Sequence, residues 1–387
     1  MKCCQEKDPW YTRKSWAEIS KSALLGNLDL IRSYVDEARV QVLPVVKADA
    51  YGHCAQLVVP ILEEAATTAL AVATLDEALA IRQAGSRSQI LVLGTSTPAC
   101  LSYLQEADLT QTLVSREEIL AYSQAWERGG GPPLKVHLKL DTGMTRLGLP
   151  TDPGRRQKTL DSILEAIKLP GLQVTGLYSH LAAADSDPDY TAFQWRRFKE
   201  TLEAAEAMGL PRLCRHLAAS SAIAGQADKH FDLVRPGIVL YGGKAGPSAQ
   251  AWSGLRPVMT VKAVIEQVIS VKAGTRVSYG GTWTAPHDSV LAVVNMGYAD
   301  GLPRLLSNQG AFYYRGQEAP IRGRVCMDRC MIDVSDLPEL APGHEVMLFG
   351  DDGFIRVDAD RLAQLCGTID YEIYTGIHER APRLLVD

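Results

Sequence analysis

What most constrains this chain is an alternation. From about residue 20 to residue 241, short apolar runs take turns with longer stretches whose apolar residues recur every three or four positions. The runs at 41–46, 69–73, 89–93, 110–114, 134–140, 172–178, 213–217 and 233–240 read as strands, rich in Val, Leu and Ile and bounded by turn residues. Between them, 75–83, 116–126 and 190–207 read as helices. Strands separated by helices pair in parallel, and eight such units in about 220 residues suit a (β/α)8 TIM-type barrel. An open doubly wound sheet is the other arrangement that the pattern allows.

After Tyr241 the period changes. Met259, Val261, Ala263, Ile265, Gln267, Ile269 and Val271 alternate with a more polar set, as a half-buried antiparallel strand does. Further strand-like runs at 289–295 and 345–349, with one helical stretch at 358–366, mark a mainly β C-terminal domain. The expected division is 1–18, an N-terminal strand packing with the C-terminal domain; 19–245, the barrel; and 246–387, the β domain. Residues 242–257 read as a turn-rich connection and GGGPP at 129–133 as a surface turn.

With 387 residues, 46% hydrophobic, the chain can bury two sizeable cores. A formal charge of -5 and no Lys/Arg cluster argue against nucleic acid or an anionic membrane as partner. No run of about 18 apolar residues occurs, and the N-terminus lacks the apolar core of a signal peptide, so a cytoplasmic location is expected. The eight cysteines show no CxxC pair and no zinc-ligand spacing; they read as reduced thiols, with no metal.

The barrel frame gives certain polar residues a meaning. Lys47 follows the first strand (PVVKADAYGH), and apolar walls would strip its hydration, lower its pKa and leave an amine able to form a Schiff base. Lys139, Asp141 and Arg146 follow the fifth strand, His180 ends the sixth, Ser220 and Ser221 follow the seventh, and Arg235 lies in or at the end of the eighth. All would converge on the C-terminal rim. Loops after the last two strands of barrels often hold phosphate through backbone N–H groups, and Ser220 together with Gly237 and Ile238 has that character. A phosphorylated aldehyde captured by a lysine describes pyridoxal 5'-phosphate.

These residues sit in motifs that resemble bacterial alanine racemase along nearly the whole chain: SWAEISKSALLGNL, VVKADAYGH, KLDTGMTRLG, YSHLAAAD and VRPGIVLYG, then VSYGGTW, MGYADGLPR, APIRGRVCMD and TIDYEIYTGI. By that resemblance Lys47 would carry the cofactor, and Tyr51, Ser220, Tyr371 and the Gly237 and Ile238 amides would hold its phosphate. Arg235 would face the pyridine nitrogen; an arginine does not give up its proton, so that nitrogen would stay largely unprotonated.

Racemisation takes a proton from one face of a planar centre and returns one to the other, and the family uses two bases. Here they would be Lys47 and Tyr298. Tyrosine is a weak acid that needs help to act as a base near neutrality, and the help would come through His180 and Arg235. Tyr298, with Met327 near the substrate carboxylate, would reach the site from the partner subunit of a homodimer. Lys139 matches a lysine carbamylated in much of the family, which would orient Arg146 toward the cofactor and substrate. Asp185, Arg324 and Ile369 match positions along the substrate corridor.

The resemblance thus implies interconversion of L- and D-alanine, supplying D-alanine for peptidoglycan. A serine/alanine or broader amino-acid racemase of the same family is the alternative, and Tyr371, where serine racemases carry a smaller residue, favours alanine. Exported broad-specificity relatives bear disulfides, which the reading of the cysteines sets aside. A non-catalytic cofactor carrier would lack the β domain, and a barrel-type decarboxylase would carry other motifs there. The chain departs from the family pattern at Cys54 (usually Gly), Ala219 (usually Asn) and Arg329 (usually Gln).

Overall fold

The computed structural model describes residues 14–244 and 252–387. Eight parallel strands form one sheet: Gln41–Val42, Ala69–Val72, Gln89–Val92, Leu109–Leu113, Leu134–Asp141, Leu172–Tyr178, Cys214–Ala219 and Leu233–Arg235, each from the second onward paired with its successor. The last pairs back onto the first at Leu233 and Gln41, and a single bridge from Val45 to Ala71 joins the first to the second. The ring closes as a barrel, so the open-sheet alternative falls away. Strands such as Ala69–Val72 are buried at every residue, as a sheet wrapped by helices on one side and filled by side chains on the other must be.

Two strands are shorter than the apolar runs suggested, for one physical reason. Proline has no N–H to give a ladder. Pro44 interrupts the run at 41–46, and Pro236 ends the eighth strand at Arg235, after which Ile238–Tyr241 coils into a 3-10 turn rather than continuing extended.

The helices begin where polar side chains satisfy their first free N–H groups. Ser115 Oγ accepts from Glu118 N ahead of Arg116–Gly129, and Asp187 accepts from Tyr190 N ahead of Pro188–Ala207, whose first residue is a proline. Thr74 and Glu77 form a reciprocal capping box at the start of Leu75–Gln83. Each cap stabilises its helix by about 1 kcal/mol, and each fixes the loop that leads into it from a barrel strand.

The second body is built on the long strand Met259–Val271. Ser15–Ser20 pairs with it antiparallel, while its far half pairs with Ser289–Val294 and its near half with Glu345–Asp351. Ser15–Ser20 also runs parallel to Arg383–Val386, so the first and last of the described strands lie side by side in this sheet. Two short helices, Ala359–Cys366 and Asp370–Thr375, return the chain toward the barrel mouth and deliver Tyr371 there. The expected N-terminal segment and the 242–257 connection lie partly outside the described residues, which omit 1–13 and 245–251.

Candidate active site

Lys47 leaves the end of the first strand, where Val46 N–H donates to Ala71 O at 2.8 Å. The next residues do not form an ordinary loop. Ala48, Asp49, Ala50 and Tyr51 all have φ between 50° and 55°, a turn of left-handed helix without glycine. Such backbone costs about 1–2 kcal/mol per residue for L-amino acids, so it must be held from outside. Asp49 Oδ1 accepts from Ala55 N (2.7 Å), Arg383 Nε donates to Gly52 O (2.8 Å), and Glu77 Oε1 accepts from Ala48 N (2.7 Å). Cys54, just beyond, corrects the reading of eight reduced thiols: it is disulfide-bonded, while Cys100, Cys214, Cys326, Cys330 and Cys366 are free.

A cavity of about 400 Å³ opens at the C-terminal ends of the strands, and Lys47, Tyr51, Lys139, Arg146, His180, Ser220, Arg235, Gly237 and Tyr371 all line it. Burial, then the charge of Arg146, lowers the Lys47 pKa, while Glu77 pulls it back up. This moves the amine toward the neutral, nucleophilic form. Lys139 is affected more: burial first, then Arg146 and Arg235, bring it down to about 8. Its Nζ lies 5.6 Å from the centre of the Tyr178 ring and makes no ion pair among the described residues.

Arg235 is 2% exposed and organises the floor of the cavity. Nη1 meets His216 Nδ1 at 2.7 Å, and Nη2 meets Ser179 O at 2.9 Å, Leu217 O at 3.0 Å and His180 Nδ1 at 3.3 Å. A guanidinium can only donate, so both histidines accept at Nδ1 and carry their proton on Nε2. His216 Nε2–H then donates to His137 Nδ1 at 2.8 Å. Burial, then the Arg235 charge, pushes both His180 and His216 well below the usual histidine range, and the same two causes bring His137 down to about 4, so all three are neutral imidazoles. Burial lowers Arg235 itself to about 10, which still leaves it charged at neutral pH.

In the same cavity Ser220 Oγ accepts from Gly237 N at 2.9 Å. A Cβ at Gly237 would lie 2.4 Å from the Tyr51 hydroxyl, so only glycine lets these groups close together. The rings of Tyr51 and Tyr371 lie 5.9 Å apart, tilted at 52°, and burial raises both phenols, keeping them as O–H donors. Hydroxyls, backbone N–H groups and a glycine gap form a cradle with the chemistry a phosphate requires. Between that cradle and Arg235, beside a lysine of lowered pKa, the donor set fits pyridoxal 5'-phosphate. Ile238 follows Gly237 as the first residue of the 3-10 turn.

Two proposed site residues are elsewhere. Tyr298 and Met327 are 39% and 52% exposed and do not line the cavity of their own chain. They lie together on the β domain, because Tyr298 N–H donates to Cys326 O and Ala299 N–H to Met327 O, both at 3.0 Å. Asp185 and Ala219 line the cavity, whereas Arg324 and Ile369 do not. Arg329 turns to Glu266 at 2.6 Å. Sequence reasoning passed over His137, His216 and Tyr178, although alternation along LKVHLKLD puts His137 on the face of Lys139.

The profile for the alanine racemase N-terminal domain matches residues 19–245, and that for the alanine racemase C-terminal domain matches 258–385. An alanine racemase of Nostoc sp. is 39% identical over 97% of this chain and 96% of its own length; one from Desulfosudis oleivorans is 40% identical over 96% of each. Among solved structures, alanine racemase from Streptomyces coelicolor superposes with a TM-score of 0.90 at 36% identity, covering 98% of this chain and all of that one. The Bacillus anthracis enzyme with bound L-Ala-P gives 0.87 at 34%, over 97% of this chain and 95% of that one. The Bartonella henselae enzyme with covalently bound pyridoxal phosphate gives 0.84 at 29%, over 96% and 99%.

Proposed function

Because the chain belongs to the alanine racemase family, we propose that it interconverts L- and D-alanine with pyridoxal 5'-phosphate by a two-base mechanism. Lys47 serves one face of the substrate and Tyr298 of the partner subunit the other. The observation that carries this reading is the shared cavity, in which a lysine amine of lowered pKa faces both a buried arginine and the Ser220–Gly237 cradle.

When bound, the cofactor supplies a conjugated electron sink that acidifies the Cα proton of a linked amino acid. Lys47 would hold the cofactor, and its neutral amine would take or return the Cα proton on one face of the substrate. Tyr51, Ser220, Tyr371 and the Gly237 and Ile238 amides hold the phosphate. Arg235 would donate to the ring nitrogen without protonating it, since a guanidinium keeps its proton. Arg146 would bind the phenolic oxygen and substrate, and Met327 of the partner subunit would lie near the substrate carboxylate.

His180 has its Nδ1 committed to Arg235, so its Nε2–H remains available for a hydroxyl. Donated to Tyr298 of the partner subunit, that hydrogen bond stabilises the phenolate and helps tyrosine to act as a base. The exposure of Tyr298 on its own subunit supports this sharing of the site in a homodimer. Lys139, brought down to about 8, is in reach of carbamylation: the neutral amine adds to CO2, an N–C bond forms and a proton leaves.

We also place the enzyme in the cytoplasm, supplying D-alanine for peptidoglycan. The five free cysteines among the described residues support a reducing compartment, while the Cys54 disulfide weighs the other way. Among the described residues no helix is long and apolar enough to cross a membrane.

The test is incubation of the purified protein with pyridoxal 5'-phosphate and L-alanine in D2O. D-Alanine deuterated at Cα is the expected product. Release of CO2 would identify a decarboxylase instead, and no exchange at Cα would overturn the proposal.

A further inference from the structure

A capping-box glutamate ordinarily reaches back to one N–H at the start of its own helix. Glu77 reaches further. Its Oε2 accepts from Ala73 N at 2.7 Å and Thr74 N at 3.2 Å, at the end of the second barrel strand. The other oxygen, Oε1, crosses to a different loop and accepts from Ala48 N at 2.7 Å, the amide directly after Lys47. One carboxylate therefore holds three N–H groups and ties the first strand-to-helix loop to the second. The Thr74 hydroxyl takes no part in these three bonds; its Oγ1 makes the other half of the box, accepting from Glu77 N at 3.3 Å.

The tie falls where the backbone most needs one. Ala48 opens the run of four left-handed residues, and each of them would be more stable in another conformation. Asp49 and Arg383 hold the far end of that turn, through Ala55 N and Gly52 O. At the Lys47 end the turn has its own bond from Ala50 N–H to Val46 O at 2.9 Å, and among the described residues Glu77 is the side chain that bonds there.

We propose that Glu77 is a positioning residue for Lys47, its carboxylate latching the left-handed turn so that the amine is held at the cavity rather than swinging with a relaxed loop. The assignment rests on Lys47 being the cofactor-bearing lysine. Glu77 acts on Lys47 in two ways, by geometry through the Ala48 amide and by charge, since its carboxylate favours the ammonium form. Ala48 and Glu77 also line an outer groove of about 890 Å³, so water reaches the Ala48 amide as soon as the bond is lost.

The test compares Glu77→Gln, Thr74→Ala and the pair Ala48→Gly/Glu77→Gln with the parent protein, first without cofactor. Hydrogen exchange of the peptide spanning 47–52 is followed by mass spectrometry, and the pH midpoint of Lys47 acylation is measured by competitive labelling. Glu77→Gln should speed that exchange roughly tenfold or more, as loss of a charge-assisted bond does, and move the Lys47 midpoint to lower pH. With cofactor it should lower kcat more than it raises KM. Glycine takes a positive φ without strain, so Ala48→Gly in the Glu77→Gln background should recover much of the exchange protection and of kcat, but not the midpoint.

Thr74→Ala removes the helix cap alone and should change neither local exchange at 47–52 nor the midpoint. If it reproduces the Glu77→Gln effects, or if Glu77→Gln leaves both readouts at the parent values, Glu77 is only a cap and the proposal is wrong. Borohydride reduction of the cofactor-loaded parent, followed by peptide mapping, checks the premise separately. Label on another lysine would remove the functional reading while leaving the exchange result to judge the latch.

Discussion

Lys139 offers the sharpest quantitative prediction. Its side chain is 6% exposed, no carboxylate pairs with it among the described residues, and burial with Arg146 and Arg235 holds its pKa near about 8 rather than the ordinary lysine value of 10.5. At about 1.4 kcal/mol per pH unit, keeping the ammonium there costs about 3 kcal/mol, and about 2 kcal/mol once water in the open cavity screens it. The folded-state pKa is lowered, so the unfolded chain holds the proton more tightly. The penalty is therefore present in full below pH 8 and is relieved as pH rises from about 8 toward 10.5. Carbamylation removes the ammonium and puts an anion beside Arg146 and Arg235 in its place. Urea unfolding at pH 7, in CO2-free buffer and at fixed protein concentration, should show Lys139→Met about 2 kcal/mol more stable than the parent. The gap should shrink above pH 8, and bicarbonate should stabilise the parent but not the variant. Equal stability of the two proteins at pH 7, with no response to bicarbonate, would refute the reasoning.

Gly237→Ala places a methyl group 2.4 Å from the Tyr51 hydroxyl; cofactor affinity measured by equilibrium dialysis should fall at least about tenfold, and unchanged affinity would remove Gly237 from the cradle. Tyr298→Phe keeps the ring but not the acid, so Cα-proton exchange followed by NMR should drop roughly a hundredfold or more for one enantiomer. Equal loss for both would count against two bases. Tyr371→Ala widens the cavity, and the ratio of serine to alanine turnover should rise; a constant ratio would show that Tyr371 does not set substrate size.

The barrel was legible because its strands must be apolar over their full width and its helices must start at caps, and both demands leave marks in the chain. The runs at 69–73 and 172–178 reappear nearly residue for residue, while those at 41–46 and 233–240 are cut short by Pro44 and Pro236, visible residues whose effect on the ladder went unweighed. The turn at 48–51 had no such mark. Left-handed backbone is signalled by Gly or Asn, and at Ala48, Ala50 and Tyr51 it is held in part by groups distant in sequence, Glu77 and Arg383. Glu77 read as a helix cap, and its second bond is tertiary. His216 carried a signal, since Arg235 needs a buried acceptor. That acceptor settles more than Arg235's own position. Because arginine only donates, it dictates which nitrogen of His216 and of His180 bears the proton, and with them the direction of every hydrogen bond from His137 to the free Nε2–H of His180. One buried cation thus decides where a proton donor is available at the rim, which neither the spacing of the histidines nor their number would reveal.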